Sequence, residues 1–456
     1  MGVIPDPAKV KADARGYRAA AALLALAAAI IILAGLGLRD PWPADEPRFA
    51  QVAKEMVESG NWCFPSRGGE LYPDKPPVFM WAIALGYRWL GSLKLAFLLP
   101  SALCALVTLY LVYDLGRRLW ESRTGLVAAA LLLVTLQFTL QAKTAQIDAM
   151  VCCWITVGCY GLLRHLLLGP DWGWYWTAWA FMGLGVITKG VGFLPLLMLV
   201  PYLVLRFAAP QATDASGGWR WWLGPLVMVF VIGLWLAPML WLVEISADPQ
   251  LEAYRDNILM KQTATRYAKA WHHLEPFWYY LVSVIPLFWM PISLMLPWLA
   301  KPWWRAIRAG ERRIILPLAW VVLVVLFFSL SPGKRGVYLL PALPMLALAV
   351  APYAEQVLQS RHLQWLVWGV VACFSLAFLV AAGLGWGGHP AALGVIANSD
   401  VAPWGLLLAI GLAGVGSRLI GRRRKILSRL VFVPLLRLLY STRGYPLLES
   451  LRTPRP

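Results

Sequence analysis

Charge is scarce in this sequence. Only 14% of its 456 residues are Asp, Glu, Lys or Arg, against about a quarter in a typical water-soluble domain. Cysteine is scarce too, with 6 in all. Cys104, Cys152, Cys153, Cys159 and Cys373 lie inside apolar blocks, Cys63 lies in a polar loop, and no C-x-x-C spacing occurs. That pattern excludes a disulfide framework and disfavours a structural zinc or a redox pair. There is no internal repeat, and no low-complexity segment beyond the Ala-rich first apolar run. A soluble enzyme, a secreted disulfide scaffold and a disordered chain are thereby excluded.

What is abundant is apolar. Hydrophobic residues make up 60% of the chain, with 26 Trp, 33 Pro and 38 Gly. They gather into blocks near 17–38, 95–116, 124–141, 149–167, 172–188, 190–207, 220–243, 277–299, 313–330, 337–353, 363–385 and 402–420. Crossing a bilayer takes roughly 20 residues, so these twelve blocks predict an all-α integral membrane protein. The first run follows basic residues, is long for a signal peptide and lacks a small-residue cleavage site, so an uncleaved first span is expected. A thirteenth block, 77–91, is only 15 residues long and follows Pro76; about 12 transmembrane helices are expected, with 13 possible.

The net charge of +18 decides the topology. With the N-terminus inside and 77–91 lying flat, the inner segments hold 26 Lys/Arg against 9 acids and the outer ones 13 against 14. A crossing at 77–91 would reverse the bias, contrary to the positive-inside rule. The basic excess is therefore a topology signal and calls for no nucleic acid. Both termini are expected on the cytoplasmic side of a bacterial inner membrane, and the outer, periplasmic face carries the long loops 39–76 and 244–276. After Ile420 the chain reads Gly421-Arg-Arg-Arg-Lys and then an apolar stretch interrupted by Arg429 and Arg437. This segment, 421–456, is expected as a basic cytoplasmic-side tail lying on the inner surface.

The first outer loop opens with Ala44-Asp-Glu-Pro-Arg-Phe-Ala-Gln-Val-Ala-Lys-Glu-Met-Val-Glu-Ser-Gly60. Phe49, Val52, Ala53, Met56 and Val57 fall at amphipathic-helix spacing, Gly60 ends the run, and Asp45 stands at the N-cap position. Asp45 as a simple cap, with Glu46 favouring the helix dipole, is one reading. The other follows from position. This acidic pair lies at the membrane surface, and a second cluster, Tyr72-Pro-Asp74-Lys75-Pro-Pro77, closes the same loop. Together they supply carboxylates for a cation or a hydroxyl, and Arg48 and Lys75 for phosphate oxygens.

Further candidates fall at outer span ends. Asp148, with Lys143 nearby, lies where a carboxylate needs a watery cavity or a partner; a helix cap is the plainer reading. Lys189, Lys334 and Arg335 are outer cations, readable as snorkelling side chains or as a phosphate cradle. The adjacent His272 and His273 precede Glu275-Pro-Phe-Trp278. They do not share a helix face, but one of them with Asp74 makes an open divalent site. Trp62, Trp271 and Trp278 fit the interfacial belt.

Asp45-Glu-Pro-Arg-Phe-Ala, Ser59-Gly-Asn-Trp62 and Asp74-Lys-Pro-Pro77 together resemble the polytopic GT-C glycosyltransferases. The aminoarabinose–lipid A transferases are the nearer relatives and the protein O-mannosyltransferases the more distant. The resemblance implies a GT-C architecture over residues 1–420, with juxtamembrane helices in a first periplasmic loop, 39–94, and a second long loop at 244–276. It implies transfer, with inversion, of a sugar from polyprenyl (undecaprenyl) phosphate to a lipid A-like or protein acceptor. Asp45, Glu46 and Asp148 would be catalytic. Arg48, Lys75, Lys189, Lys334, Arg335 and Tyr338 would hold the donor phosphate. Asp74, His272 and His273 would hold a divalent ion (Zn, Mg or Mn), with Asp74 one methylene shorter than the family's usual Glu. The family's soluble outer domain after the last span is not expected here. The rival reading, a transporter or flippase of lipid-linked sugars, predicts midplane polar groups and often a repeat, whereas the polar residues here cluster on one face.

Overall fold

The computed structural model describes residues 7–208, 210, 218–259, 274–390, 392, 402–420 and 432–444. Helix dominates. After α1 (Pro7–Leu33), the first loop holds α2 (Glu46–Ser59), a hairpin of β1 (Ser66–Arg67) and β2 (Glu70–Leu71), α3 (Val78–Leu90) and α4 (Leu93–Ala96). Then follow α5 (Leu99–Leu119), α6 (Ser122–Val134), α7 (Leu136–Ala142), α8 (Ile147–Leu167), α9 (Trp172–Lys189), a 3-10 turn at Leu194–Met198, α10 (Leu199–Ala208), α11 (Arg220–Ser246) and α12 (Pro249–Asp256). The second half has a π turn at Tyr280–Val284, α13 (Ile285–Phe288), α14 (Ile292–Arg308), α15 (Arg312–Leu330), a 3-10 turn at Gly336–Leu339, α16 (Ala342–Leu358), α17 (Arg361–Trp386), α18 (Trp404–Ile420) and α19 (Phe432–Leu439).

Among the described residues, 6 helices are long and apolar enough to cross a membrane, or up to 8 if each of two bent pairs is one span. The remaining apolar blocks also form helices, but shorter or, in Trp-rich α9, less apolar ones. The crossings differ in how much neighbours cover them. The apolar window of α8 is 83% buried and that of α5 67%, whereas α1, α11 and α17 stand at 11%, 17% and 22%. A central pair is thus wrapped by peripheral helices whose apolar faces suit lipid. Close packing relies on small residues. A Cβ on Gly161 would lie 2.3 Å from the Trp174 carbonyl oxygen, and one on Gly116 2.8 Å from the Gly125 Cα, so α8–α9 and α5–α6 meet backbone to backbone.

Two blocks read as straight spans are broken. α6 and α7 meet at 71°, and Tyr280–Phe288 meets α14 at 107°. Breaking a helix within lipid strands backbone groups that need partners, and here the breaks serve each other. Thr135 is extended (φ −71, ψ 127), and the Leu136 amide donates to the Met290 carbonyl at 2.9 Å. Gln137 donates to the Gly336 carbonyl (2.7 Å) and accepts from the Trp289 indole (3.0 Å). Both bends are thereby tied to the loop after α15.

In the first loop, α2 buries Phe49, Val52, Ala53 and Met56, the expected face apart from the half-buried Val57. Gly60 closes it at φ 72, its amide donating to Met56. Phe49 meets Phe79 of α3 edge-on, with ring centroids 5.4 Å apart. α3 has 13 residues, about 20 Å at 1.5 Å per residue, against a hydrocarbon core of about 30 Å. The 77–91 stretch thus forms a helix shorter than that core.

The tail departs from expectation. α19 does not lie apart on the inner surface; it packs on α18 and touches α1, α6 and α7. Leu436 and Leu439 join Leu406 around Val371 and Ile410, and Gly444 lies beside Leu406 in the first turn of α18. The segment 432–444 thus runs back along α18. It ends with Ser441 accepting from the Lys143 ammonium at 2.8 Å, on the side of the first outer loop. Packing of Leu436 and Leu439 outweighs the interruptions that favoured a surface helix; residues 421–431 and 445–456 lie outside the described residues.

Candidate active site

The first turn of α2 sets the site. Asp45 has helical φ and ψ (−92, −38), and its side chain makes no cap hydrogen bond. Its carboxylate turns instead toward three cationic or polar partners. Arg48, one turn on, pairs with one oxygen. Arg335 Nη2 lies 3.2 Å and Gln146 Nε2 3.5 Å from the other. Arg48 also reaches Asp74, at 3.8 Å. One carboxylate therefore gathers the second cluster of its own loop, the α7–α8 connection and the α15–α16 loop.

Asp148, in the first turn of α8, forms the second pair, with Lys189 at the end of α9. Gly190 ends α9 at φ 84, and the Lys189 ammonium sits 4.6 Å from the Tyr338 ring centroid. Burial pulls the Arg335 guanidinium down, but its contact with Asp45, and the charges of Asp148 and Tyr338, hold it above its ordinary value. The two carboxylates thus share one electrostatic neighbourhood, and it is open. Side-chain exposure is 14% for Asp45, 28% for Arg48, 39% for Arg335 and 48% for Asp74.

Glu46 is a different kind of residue. The resemblance implies a catalytic role for it, yet it is buried beneath Asp45. It accepts a two-pronged interaction from Arg39 (Nη2 to Oε1, 2.7 Å), the Trp42 amide (2.8 Å) and the Ala145 amide (2.9 Å). Arg39 stacks 4.5 Å from the Trp42 ring centroid and donates to the Lys143 carbonyl at 3.2 Å, while the Lys143 ammonium donates to the Ala34 carbonyl (2.6 Å) and to Ser441. Four donor contacts fill this carboxylate, so Glu46 locks the start of α2 to the segment that launches α8.

The other expected residues divide. Lys334, 4% exposed, turns its ammonium to the Glu275 carbonyl at 2.8 Å; it ties down the 274–276 segment instead of facing Asp45 or Asp148. Lys75 is half-buried just before α3. His272, His273 and Trp271 lie outside the described residues. Asp74 is shared with Arg48, and no group of three or more His, Cys, Asp or Glu side chains among the described residues is arranged to hold a metal ion. Of the three residues expected to hold a divalent ion, only Asp74 is described. Sequence reasoning missed Gln146 and Tyr72. The Tyr72 hydroxyl is buried and has no hydrogen-bond partner among the described residues. Burial first, then the balance of Arg48, Asp74, Arg67 and Asp45 around it, puts its pKa at about 12. It stood inside the Tyr72–Pro77 motif, but nothing in sequence marks which motif member turns inward.

Residues 74–236 match the family described as dolichyl-phosphate-mannose-protein mannosyltransferase. The chain is 27% identical over 410 residues to the undecaprenyl phosphate-alpha-4-amino-4-deoxy-L-arabinose arabinosyl transferase of Yersinia enterocolitica, covering 85% of this chain and 71% of the relative. It is 31% identical over 343 residues to the enzyme of that name, numbered 1, from Pseudomonas fluorescens, covering 72% and 58%. The chain thus spans well under two thirds of the second relative's length. In fold it is similar to ArnT from Cupriavidus metallidurans bound to undecaprenyl phosphate (TM-score 0.74, 22% identity, 95% of this chain and 77% of that one). It is also similar to the Archaeoglobus fulgidus oligosaccharyltransferase (TM-score 0.53, 12% identity, 93% and 55%). The architecture is therefore that of the polytopic GT-C glycosyltransferases. Within that class, the chain's sequence relatives include the aminoarabinose transferases that its first-loop motifs resemble.

Proposed function

We propose that the protein is a membrane glycosyltransferase. It moves a sugar from an undecaprenyl-phosphate-linked donor to a lipid A-like or protein acceptor, with inversion, at the periplasmic face of a bacterial inner membrane. One observation carries this reading: Asp45 and Asp148, on different helices, are each paired with cations from distant segments in a single open cluster. The relatives' printed names supply the carrier and the class of reaction.

Cleaving the bond between the anomeric carbon and the phosphate oxygen leaves negative charge on phosphate and positive charge on the sugar. Preorganised cations stabilise the first and a carboxylate the second. Arg48, Arg335 and Lys189 receive the leaving phosphate, with Lys75 at the rim and Tyr338 orienting Lys189. Asp148 faces the developing positive charge. The phosphate competes with Asp45 for Arg48 and Arg335, so donor binding frees the Asp45 carboxylate to take the acceptor hydroxyl's proton as the new bond forms. An acceptor that is already an ionised phosphate needs no base, and Asp45 then acts by position. Lys334 and Glu46 hold the surrounding backbone. Asp74 with His272 or His273 is the donor set that the resemblance implies for a divalent ion, and no step here runs through it. Residues 1–420 would form the catalytic unit, with the loops 39–94 and 244–276 outside, the N-terminus inside and about twelve crossings, the 432–444 segment adding a return toward the outer side.

The test is release of undecaprenyl phosphate from a glycosylated carrier by the purified protein. A transporter would relocate the lipid without consuming it. Asp45→Asn should lower release by about a thousandfold while the folded protein stays in the membrane; near-normal turnover would remove Asp45 from the mechanism.

A further inference from the structure

A second charged site lies at the opposite end of the helices. Ser101, near the start of α5, contacts the Gln146 carbonyl beside the candidate active site, so the end of α5 marks the far side. There Arg313 donates to the Leu119 carbonyl at 2.8 Å, and Arg123 of α6 pairs with Glu355 of α16 at 2.7 Å. Between α14 and α16 on this side is a cavity of about 210 Å³, lined by Trp298, Lys301, Arg305, Gln356, Val357 and Ser360 among others.

Its cations, like Arg308 beside them on α14 and Arg361 at the start of α17, differ from several others on this side. Arg117 and Arg118 are bound to Asp114, Arg123 to Glu355, Arg164 to Asp171, and Arg313 to Glu311. Lys301 and Arg305 have no ion pair or side-chain hydrogen bond among the described residues. They are one helical turn apart on α14, and so share a face. Both are exposed, while Ile292, Met295 and Leu299 of the same helix are buried. α14 is thus an amphipathic element, and it is fixed to α16 by the Trp303 indole, which donates to the Ala349 carbonyl at 2.9 Å. Trp298 half-lines the cavity and Trp304 is 55% exposed, the aromatic placement typical of headgroup depth. Gln356 and Ser360, one turn apart, add neutral hydrogen-bonding groups on the facing wall. The volume is below that of pockets that engulf whole drug-sized ligands, so it seats a headgroup and leaves acyl chains outside, where Trp365 and Leu366 of α17 expose apolar surface.

We infer that this cavity binds the headgroup of an anionic phospholipid of the inner leaflet, of the phosphatidylglycerol class. Lys301 and Arg305 take the phosphate, and Gln356 and Ser360 the glycerol hydroxyls. Basic pockets between helices on the cytoplasmic side favour such lipids, each cation contributing appreciably. The inference takes the membrane orientation proposed above but does not rest on sugar transfer, since its readout is lipid retention.

Native mass spectrometry of the full chain in neutral detergent, titrated with phosphatidylglycerol or with phosphatidylcholine of the same acyl chains, tests it. One tightly held phosphatidylglycerol is expected, with Lys301→Gln/Arg305→Gln weakening it by about thirtyfold and Lys301→Arg retaining it. Both side chains are exposed, and an unchanged melting temperature of the lipid-free double variant verifies folding. Equal retention of phosphatidylcholine, or full retention of phosphatidylglycerol by the double variant, would overturn the site. Displacement of the lipid by inorganic phosphate at equal concentration, or a preference for undecaprenyl phosphate that the double variant loses, would overturn the assignment to a phospholipid.

Discussion

The two ends of α8 carry clusters of similar composition and opposite character. At one end Asp148 faces Lys189, beside Asp45, Arg48 and Arg335. At the other, Tyr160 donates to Asp114 at 2.5 Å and Arg164 pairs with Asp171 at 2.7 Å. Asp114 is 2% exposed and also accepts from Arg117 and Arg118, so its acceptor capacity is filled and no substrate group has room to compete. Asp45, 14% exposed, is held by cations that are themselves partly open. A filled, closed carboxylate is a fastening; one with open partners is available for chemistry. Asp45 and Glu46 repeat the contrast one residue apart.

The sharpest way to break this comparison is to neutralise each carboxylate in turn. Asp45→Asn should lower sugar transfer by about a thousandfold, within the range for a lost general base, and leave the melting temperature unchanged. Glu46→Ala should do the reverse in the first instance. It leaves Arg39 buried without its charge partner, costing about 3 kcal/mol of stability, seen as a lower denaturation midpoint, and activity falls with the folded fraction and with the misplacement of Asp45. Should Glu46→Ala keep full stability while losing turnover, Glu46 is no fastening. Arg335→Gln is the intermediate case. It removes a cation at the proposed leaving phosphate, and about a hundredfold loss in kcat with a smaller change in KM is expected, as for one removed transition-state donor. A change confined to KM would reassign Arg335 to ground-state binding. Ser441→Ala should have a smaller effect, about 1 kcal/mol from one hydrogen bond to a buried ammonium, read as a modest drop in thermal stability. No change at all would separate the tail from the Lys143–Arg39–Glu46 chain.

These cases also show what was legible in the sequence. Asp45, Arg48, Asp74 and Asp148 were legible because they sit in short motifs or at the ends of apolar blocks, where membrane burial makes any charge costly. The amphipathic face of α2 was legible because its period is local. Which of the adjacent Asp45 and Glu46 faces the open cluster was not, because Arg39 and Ala145 decide it, the latter 99 residues away. Lys334 and Arg335 divide in the same manner, through Glu275 and Asp45. The bends at Thr135 and before α14 are stabilised by each other, a pairing that no single window contains. The packing of 432–444 along α18 was not legible because local amphipathicity does not report a groove beside that helix.

The mildest test sits at the rim of the open end. Glu55 of α2 accepts from the Gly68 amide (2.6 Å), the Ser66 hydroxyl (3.0 Å) and the Gln51 amide group (3.0 Å), pinning the β1–β2 hairpin. Its slight burial pushes the carboxyl pKa up, but the donors at Gly68, Ser66, Gly69 and Gln51 outweigh it and hold the value below the usual 4.5. A carboxyl whose pKa is lower in the folded state stabilises fully above its unfolded value and loses that contribution as the pH falls through the folded one. The hairpin should therefore hold from neutral pH down to the ordinary carboxyl range and loosen below it. Amide exchange at Gly68, corrected for its intrinsic acid dependence, should accelerate as the pH falls below the ordinary carboxyl range, and Glu55→Gln should be fast already at neutral pH. Protection that stays constant below that range in the unmodified protein would show that the hairpin is held by its backbone pairing alone, and that Glu55, unlike the carboxylates deeper in the cluster, fastens nothing.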